Sequence, residues 1–142
     1  MKKPILYIDP DGTLLLEGDK PDLFLHSEIN PYAAPFMKWA TEHFEVRWLT
    51  ERPPAHVFHL AERLGIPGHK VPYTGFAESK SSAVGAFDNF YWLDSNLTPM
   101  DVDWLTRHSK TDRVIAIHSP DGVSPAHKEW LSAKVTGKKE TK

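Results

Sequence analysis

Two aspartates end the first apolar segment of the chain. Residues 5–8 are apolar, and Asp9 and Asp11 follow at alternate positions, with Gly12 directly after them. A short apolar run of this kind is typical of a strand that is covered on both faces in a parallel sheet. Open α/β sheets bind ligands at the carboxyl ends of such strands. Because Pro10 and Gly12 indicate a turn, we expect both carboxylates to approach one centre.

Two neighbouring carboxylates need a partner for their charge. Adjacent acids repel each other unless a cation or a shared proton relieves the repulsion. Mg2+ is the simplest partner, since it is a hard ion that prefers oxygen ligands. The same Asp-Pro-Asp-Gly sequence is also typical of a surface turn, so this segment alone leaves a binding site and a plain turn both open.

Later segments bring further polar groups to the same place. A strand predicted over residues 46–50 ends in Thr50, and a strand predicted over residues 90–94 ends in Asp94. Lys80 lies in the first turn of a predicted helix. Because the carboxyl ends of parallel strands meet at one edge of a sheet, we expect all of these groups around a common crevice.

Strands and helices alternate along the rest of the chain. The apolar periodicity predicts helices over residues 31–44, 53–64, 79–87 and 99–108 and from Pro125 onward, and further strands over residues 71–73 and 114–117. Pro72 confines the first of these strands to an edge or a bend. The alternation predicts a three-layer, Rossmann-like α/β fold with a mainly parallel sheet. We expect one domain over residues 1–136 and a polar tail over residues 137–142.

A hairpin is predicted directly after the two aspartates. Apolar residues 14–16 and 23–25 flank a segment rich in Gly, Asp and Pro, so residues 12–30 are expected to project from the end of the first strand and to overhang the carboxylates.

Composition excludes several classes of protein. With 40% hydrophobic residues, five Trp and seven Phe, the chain of 142 residues can bury a core. A formal charge of −2 provides no overall field that would attract nucleic acid or an anionic membrane. The absence of cysteine excludes disulfides and thiolate chemistry, and it fits a cytoplasmic protein. Asp9 interrupts the first apolar run, so we expect no signal peptide and no membrane span.

The polar groups suit phosphoryl transfer through an aspartyl-phosphate. That reaction needs a carboxylate nucleophile, a divalent cation and donors to the phosphoryl oxygens. Asp9 and Asp94 can hold the metal, and Thr50 and Lys80 can bind the phosphoryl oxygens. Asp11 can donate a proton to the leaving oxygen and later take one from water. The expected partner is therefore a phosphorylated small molecule or nucleic acid end.

These residues resemble the four motifs of the haloacid dehalogenase (HAD) superfamily over nearly the whole chain. The matching segments are Asp9-x-Asp11-Gly12-Thr13-Leu14, Thr50, Lys80 and Asp94. The resemblance implies a Rossmann-like fold, a Mg2+ cofactor and, most often, phosphatase activity. It further implies that Asp9 is the nucleophile and that Asp11 is the general acid/base and offers its backbone carbonyl to the metal. The hairpin at residues 12–30 matches the flap of the family.

The spacing between the motifs leaves no room for a separate cap domain. Family members with a minimal cap have an open site, which is often associated with large substrates. The order of Trp92-Leu93-Asp94, the strand at 114–117 and the closing helix is more narrowly similar to small HAD domains of RNA-repair proteins. The alternatives are a phosphatase of nucleic acid ends and a non-catalytic binding or regulatory module.

One departure from the family concerns the metal. Family members often carry a second acid next to Asp94 or four or five residues after it, where this chain has Ser95, Thr98 and Pro99. Asp101 and Asp103 are the nearest acids, and we favour solvation at a helix N-terminus for both over metal ligation.

Other residues have two interpretations each. Arg52 is either a phosphate ligand or a solvated loop residue. His118 either lines the crevice or forms loop hydrogen bonds, and His56 with His59 makes a weak zinc candidate. Arg107, Lys110 and Arg113, together with Lys80, are candidates for phosphate contacts if they share a face.

Overall fold

The computed structural model contains a five-stranded parallel sheet and a short two-stranded sheet. It describes residues 3–16, 28–76, 79–85, 88–118 and 121–136. The strands are β1 (Ile5–Ile8), β2 (Leu15–Leu16), β3 (Glu28–Ile29), β4 (Glu45–Leu49), β5 (Tyr73–Thr74), β6 (Phe90–Asp94) and β7 (Val114–Ala116). The larger sheet has the order β5-β4-β1-β6-β7, and each neighbouring pair is parallel. This arrangement confirms the predicted Rossmann-like α/β fold.

The helices fall close to the predicted positions. They are α1 (Ala33–His43), α2 (Pro54–Arg63), α3 (Pro99–Arg107) and α4 (Pro125–Thr136), with 3₁₀ turns at Gly68–Lys70, Lys80–Ala83 and Thr111–Arg113. Helix α1 begins later than predicted because Asn30 forms a turn of its own: its side chain accepts the Tyr32 N–H at 2.9 Å and its carbonyl accepts the Ala33 N–H at 2.8 Å. No helix in the described segments is long and apolar enough to cross a membrane.

The sheet is covered on both faces. Alternate residues of a strand point to opposite faces, so Leu6 and Ile8 of β1 join one core while Tyr7 joins the other. The larger core contains apolar residues of α1, α2 and α4. The smaller core contains Leu105 of α3 and Val84, which follows the second 3₁₀ turn. These two cores give the predicted three layers.

The prediction of a helix over residues 79–87 is wrong. The described part of this segment forms a 3₁₀ turn at Lys80–Ala83 and irregular structure at residues 84 and 85; residues 86 and 87 lie outside the described ones. The serine side chains bond locally: the Ser79 and Ser81 hydroxyls are 2.9 Å apart, and the Ser82 hydroxyl donates to the Ser79 carbonyl at 2.6 Å. Such bonds compete with the backbone bonds of an α-helix.

The strand predicted over residues 71–73 was expected at an edge or a bend, and β5 lies at an edge of the larger sheet. β5 pairs with β4 at one side of the sheet and begins two residues later than predicted. The predicted hairpin is described at its base, where β2 pairs antiparallel with β3. Its apolar segment at residues 23–25 lies outside the described residues.

The buried side chain of Asn30 connects distant parts of the chain. Its amide donates to the Thr13 carbonyl at 3.0 Å and to the Val123 carbonyl at 2.9 Å. Gly122, with a φ of +73°, lies so close that a Cβ there would be 2.6 Å from the Asn30 amide nitrogen. Asn30 therefore joins the loop after β1 to the segment that enters α4, and Gly122 leaves the necessary space.

Candidate active site

A cavity of about 490 Å³ lies at the carboxyl edge of the parallel sheet. Its lining residues are Asp9, Asp11, Thr50, Glu51, Phe76, Ser79, Lys80, Ser95, Asn96, Thr98 and Asp101. Four of the predicted site residues are thus in the lining. Asp94 is fully buried and contacts Lys80. The predicted convergence on one edge is therefore what the topology produces.

Lys80 bridges two carboxylates in the wall of this cavity. Its ammonium donates to Asp9 Oδ2 at 2.6 Å and to Asp94 Oδ2 at 2.8 Å, and its side chain is 12% exposed. Burial lowers the pKa of Lys80, but the charges of Asp9 and Asp94 outweigh burial, and the pKa is raised overall. Lys80 is therefore a fixed positive charge beside the candidate nucleophile.

The carboxyl of Asp9 lies in an environment that disfavours its charge. Burial and the nearby charge of Asp94 raise the pKa of Asp9 to about 7, while Lys80 opposes this shift. Further positive charge at this position would favour the ionised form of Asp9, which is the form that acts as a nucleophile.

Asp94 is held by three donors. Asp94 Oδ2 accepts from Trp92 Nε1 at 3.0 Å as well as from Lys80, and Oδ1 accepts the Asn96 N–H at 2.8 Å. The Trp92 contact is a functional detail that the sequence analysis missed. The available signal was the spacing, because residues two apart on a strand share a face.

Asp11 points to a different partner. Arg52 Nε lies 3.0 Å from each oxygen of the Asp11 carboxylate, and Nη2 donates to Oδ1 at 2.7 Å. The Arg52 N–H donates to Thr50 Oγ1 at 3.0 Å, which links this pair to the end of β4. The Asp11 side chain is 48% exposed. The sequence analysis interpreted Arg52 as a phosphate ligand or as a solvated loop residue. In the structure its guanidinium is instead paired with Asp11, the candidate acid/base.

The oxygen groups of the site match the preferences of Mg2+. Asp9 and Asp94 contribute carboxylates that both contact Lys80, and the Asp11 carbonyl accepts from Ser95 Oγ at 2.9 Å. Among the described residues no three His, Cys, Asp or Glu side chains are grouped for metal binding. Mg2+ typically binds through one or two carboxylates and keeps several waters. Two carboxylates and a carbonyl therefore fit this ion.

Asp101 has a structural position that the sequence analysis did not foresee. It is fully buried rather than solvated, which corrects the expectation. It forms a capping box with Thr98 at the start of α3, and Asp101 Oδ1 accepts the Ser81 N–H at 3.0 Å. The Thr-x-x-acid spacing was a readable signal for the capping box. Through Ser81, Asp101 fixes the turn that carries Lys80.

The remaining candidates lie apart from the cavity lining. Asp103 is exposed and pairs with Arg107 at 2.9 Å. His118 is exposed and pairs with Asp121 at 3.0 Å. This contact agrees with the interpretation that His118 forms hydrogen bonds within its loop. Arg113 donates to Asn89 Oδ1 at 2.7 Å. Lys80 is enclosed by carboxylates, so it is not part of a basic surface with these residues.

The sheet order and the convergence of the motif residues define a HAD-like fold. Two solved structures have this fold: an alanine variant of the fission yeast RNA polymerase II CTD phosphatase Fcp1 bound to beryllium fluoride, and Fcp1, described as an essential RNA polymerase II CTD phosphatase. Fcp1 is a member of the HAD superfamily. The chain is 12% identical to the first and 13% identical to the second, and each comparison has a TM-score of 0.53.

These similarities cover 95% of this chain and 50% and 48% of the two Fcp1 chains. The chain thus spans about half of the length of these structures. No family model matches the sequence, and no curated protein matches it significantly. At this identity the likeness confirms the HAD-like fold, and the narrower similarity to RNA-repair domains stays a prediction.

Proposed function

We propose that this protein is a Mg2+-dependent phosphomonoesterase that acts through an aspartyl-phosphate on Asp9. The observation that carries the proposal is the bridging of Asp9 and Asp94 by the Lys80 ammonium beside a cavity that Asp11 also lines. A nucleophile, a fixed positive charge and an acid/base group thereby share one cavity, as phosphoryl transfer requires. Mg2+ and a cytoplasmic location belong to the same proposal.

The reaction has two halves. An Asp9 oxygen attacks phosphorus, the ester P–O bond breaks, and protonated Asp11 transfers its proton to the leaving oxygen. In the second half the Asp11 carboxylate takes a proton from water, the water oxygen attacks phosphorus, and the bond between phosphorus and Asp9 breaks to release inorganic phosphate. Lys80 and the Thr50 hydroxyl stabilise the charge of the phosphoryl oxygens.

The metal would be held by the carboxylates of Asp9 and Asp94 and by the backbone carbonyl of Asp11. When bound, Mg2+ supplies positive charge that screens the anionic ester from the anionic nucleophile. The Ser95 hydroxyl, which donates to the Asp11 carbonyl, positions that oxygen.

Arg52 connects substrate binding to the acid/base group. Its bidentate contact orients the carboxyl group of Asp11. A phosphoryl group entering the cavity competes for the same guanidinium. When Arg52 turns to the phosphoryl oxygens, Asp11 is released to carry a proton to the leaving group.

The test is phosphate release from a panel of phosphate esters, with Mg2+ and with a chelator. Asp9→Asn and Asp11→Asn are expected to abolish release, and Glu51→Gln, which alters an exposed carboxylate in the lining of the same cavity, is the matched control. Equal release by wild type and Asp9→Asn would contradict the mechanism. Mg2+ is also expected to raise the melting temperature of wild type and not that of Asp94→Asn.

The non-catalytic module remains a second candidate. It is favoured by the missing second acid near Asp94, where the chain has Ser95, Thr98 and Pro99. A chain of this class would release no phosphate from any ester, and Mg2+ would leave its melting temperature unchanged. The same two measurements therefore separate the module from the enzyme.

A further inference from the structure

A second cleft, of about 220 Å³, lies between helix α2 and the edge strand β5. Two aromatic side chains of its lining are unusually exposed: Phe58 is 48% exposed and Tyr73 is 39% exposed. Single exposed apolar side chains are common, whereas exposed rings that share one cleft form a patch of the kind that can mark a ligand-binding groove. Aromatic rings in the lining of one cleft are suited to hold a flat ring against them.

A buried donor in the same lining has no partner. Trp48 is 1% exposed, and no described residue accepts a hydrogen bond from its indole Nε1. A buried N–H without an acceptor costs free energy, and such groups call for a specific explanation. An acceptor atom of a ligand in the cleft would provide the missing hydrogen bond.

The cleft adjoins the phosphoryl site. The Tyr73 hydroxyl donates to the Thr50 carbonyl at 3.4 Å, so one wall of the cleft touches the residue proposed to bind phosphoryl oxygens. Trp48 precedes Thr50 by two residues, which corresponds to about 7 Å along a strand. A substrate could therefore place its phosphate in the cavity and another part in the cleft.

We propose that this cleft is a subsite for the nucleobase of a phosphorylated substrate. The base stacks on Phe58 and Tyr73, and a ring nitrogen or carbonyl oxygen in its plane accepts the Trp48 N–H. A nucleobase combines a π-face with in-plane acceptors, whereas the ring of a phenylalanine has no acceptor. This identification of the substrate class rests on the proposed phosphatase function, but binding of a base does not depend on catalysis.

Access to the Trp48 N–H requires one wall to move. The ring of Phe58 lies against Gly68, where an added Cβ would be 2.4 Å from Phe58 Cδ1. Gly68 therefore leaves the space that this ring occupies, and rotation of the exposed ring away from Gly68 would open this wall. Gly68→Ala is expected to displace the Phe58 ring without removing it.

The first experiment is NMR of the indole N–H groups in the whole chain, titrated with uridine and with adenosine. These nucleosides carry no phosphate, so the result is independent of Asp9 and of any activity. The Trp48 signal, assigned by its loss in Trp48→Phe or by sequential assignment if that variant does not fold, is expected to shift in wild type and to stay unchanged in Phe58→Ala. A Trp48 signal that neither nucleoside moves would overturn the proposal.

The second experiment separates a base from other aromatic groups. N-acetyl-tyrosinamide is titrated in the same way, and a shift with this compound but with neither nucleoside would overturn the nucleobase assignment in favour of a protein substrate.

In kinetics, Phe58→Ala is expected to raise the KM of a nucleoside monophosphate about tenfold and to leave the KM of glycerol phosphate unchanged. Met100→Ala removes a similarly exposed apolar side chain outside the cleft lining and is the matched control. An equal effect of Phe58→Ala on both esters would contradict a base subsite.

Discussion

Two sets of charged residues at the cavity differ in their exposure to solvent. The cluster of Asp9, Lys80 and Asp94 is nearly enclosed, and its side chains are 9%, 12% and 0% exposed. The pair of Asp11 and Arg52 is more open on the acid side, because Asp11 is 48% exposed while Arg52 is 14% exposed. Ions without water depend on one another for stability, whereas a hydrated pair can exchange partners at little cost. The cluster is therefore suited to fix the nucleophile, and the pair is suited to change during a reaction.

The largest effect is expected from Lys80→Met. This change leaves the buried carboxylates of Asp9 and Asp94 without their cation, so the free energy of unfolding should fall by about 3 to 5 kcal/mol. Urea unfolding measures the loss. Lys38→Met, which replaces an exposed lysine of α1, should change stability by less than about 0.5 kcal/mol. An unchanged urea midpoint for Lys80→Met would contradict the view that the cluster is mutually dependent.

Arg52→Lys tests the open pair. Lysine cannot make the bidentate contact to Asp11, so phosphate release should fall about 10- to 100-fold through misplacement of the acid/base group. The free energy of unfolding should change by less than about 1 kcal/mol, because water solvates the exposed carboxylate of Asp11. Arg47→Lys alters another partly exposed pair, with Glu45, and should leave the rate unchanged. A large loss of stability in Arg52→Lys would contradict the proposed difference between this pair and the enclosed cluster.

Asp101→Asn tests the support of the enclosed cluster. Asparagine weakens the capping box at Thr98 and the contact to the Ser81 N–H, so the expected loss of stability is about 1 to 2 kcal/mol. Asp103→Asn lies two residues further on the same helix, is exposed, and should change stability by less than about 0.5 kcal/mol. Chemical unfolding of both variants makes the comparison, and equal losses would show that burial of Asp101 has no special role.

The smallest effect concerns a group outside the cavity. Burial lowers the pKa of His127 from its ordinary value of 6.5, and its Nδ1 accepts the Ser124 N–H at 3.0 Å at the start of α4. The unfolded chain then binds a proton at higher pH than the folded chain does. The stability from neutral His127 is complete above pH 6.5 and is lost as the pH falls through the lowered pKa of the folded state.

The measurement compares the unfolding free energy of wild type and His127→Gln from about pH 8 to about pH 5. The wild type should lose more stability on acidification than the variant, since glutamine does not titrate. Parallel curves for the two proteins would contradict a lowered pKa of His127 in the folded state.

The elements that were predictable have strong local signals. Short apolar runs marked β1 and β6 to the residue or nearly so, and these runs also placed Asp9 and Asp94 at one edge. The segment around Lys80 was not predictable, because its serines favour local bonds over an α-helix and its position depends on Asp101, which is 21 residues away along the chain from Lys80 (101 − 80).

The sequence also did not predict which of the site residues form ion pairs with each other. Types and spacing identified Asp9, Asp11, Thr50, Lys80 and Asp94, but the choice of partner depends on side-chain direction and burial. Lys80 pairs with the enclosed acids, and Arg52 pairs with the open one. A sequence pattern contains no information on which of two cations reaches which carboxylate.

The contacts of Asn30 impose an order on the folding of the protein during its synthesis at the ribosome. The loop that follows Asp9 is synthesised well before Val123, yet Thr13 in that loop is joined through Asn30 to the carbonyl of Val123. Domains are completed only when their last segments have emerged. A nascent chain that ends before residue 122 can pair β1 with β4 and β6, but the loop carrying Asp11 lacks its anchor, so the site is completed only after Val123 has emerged.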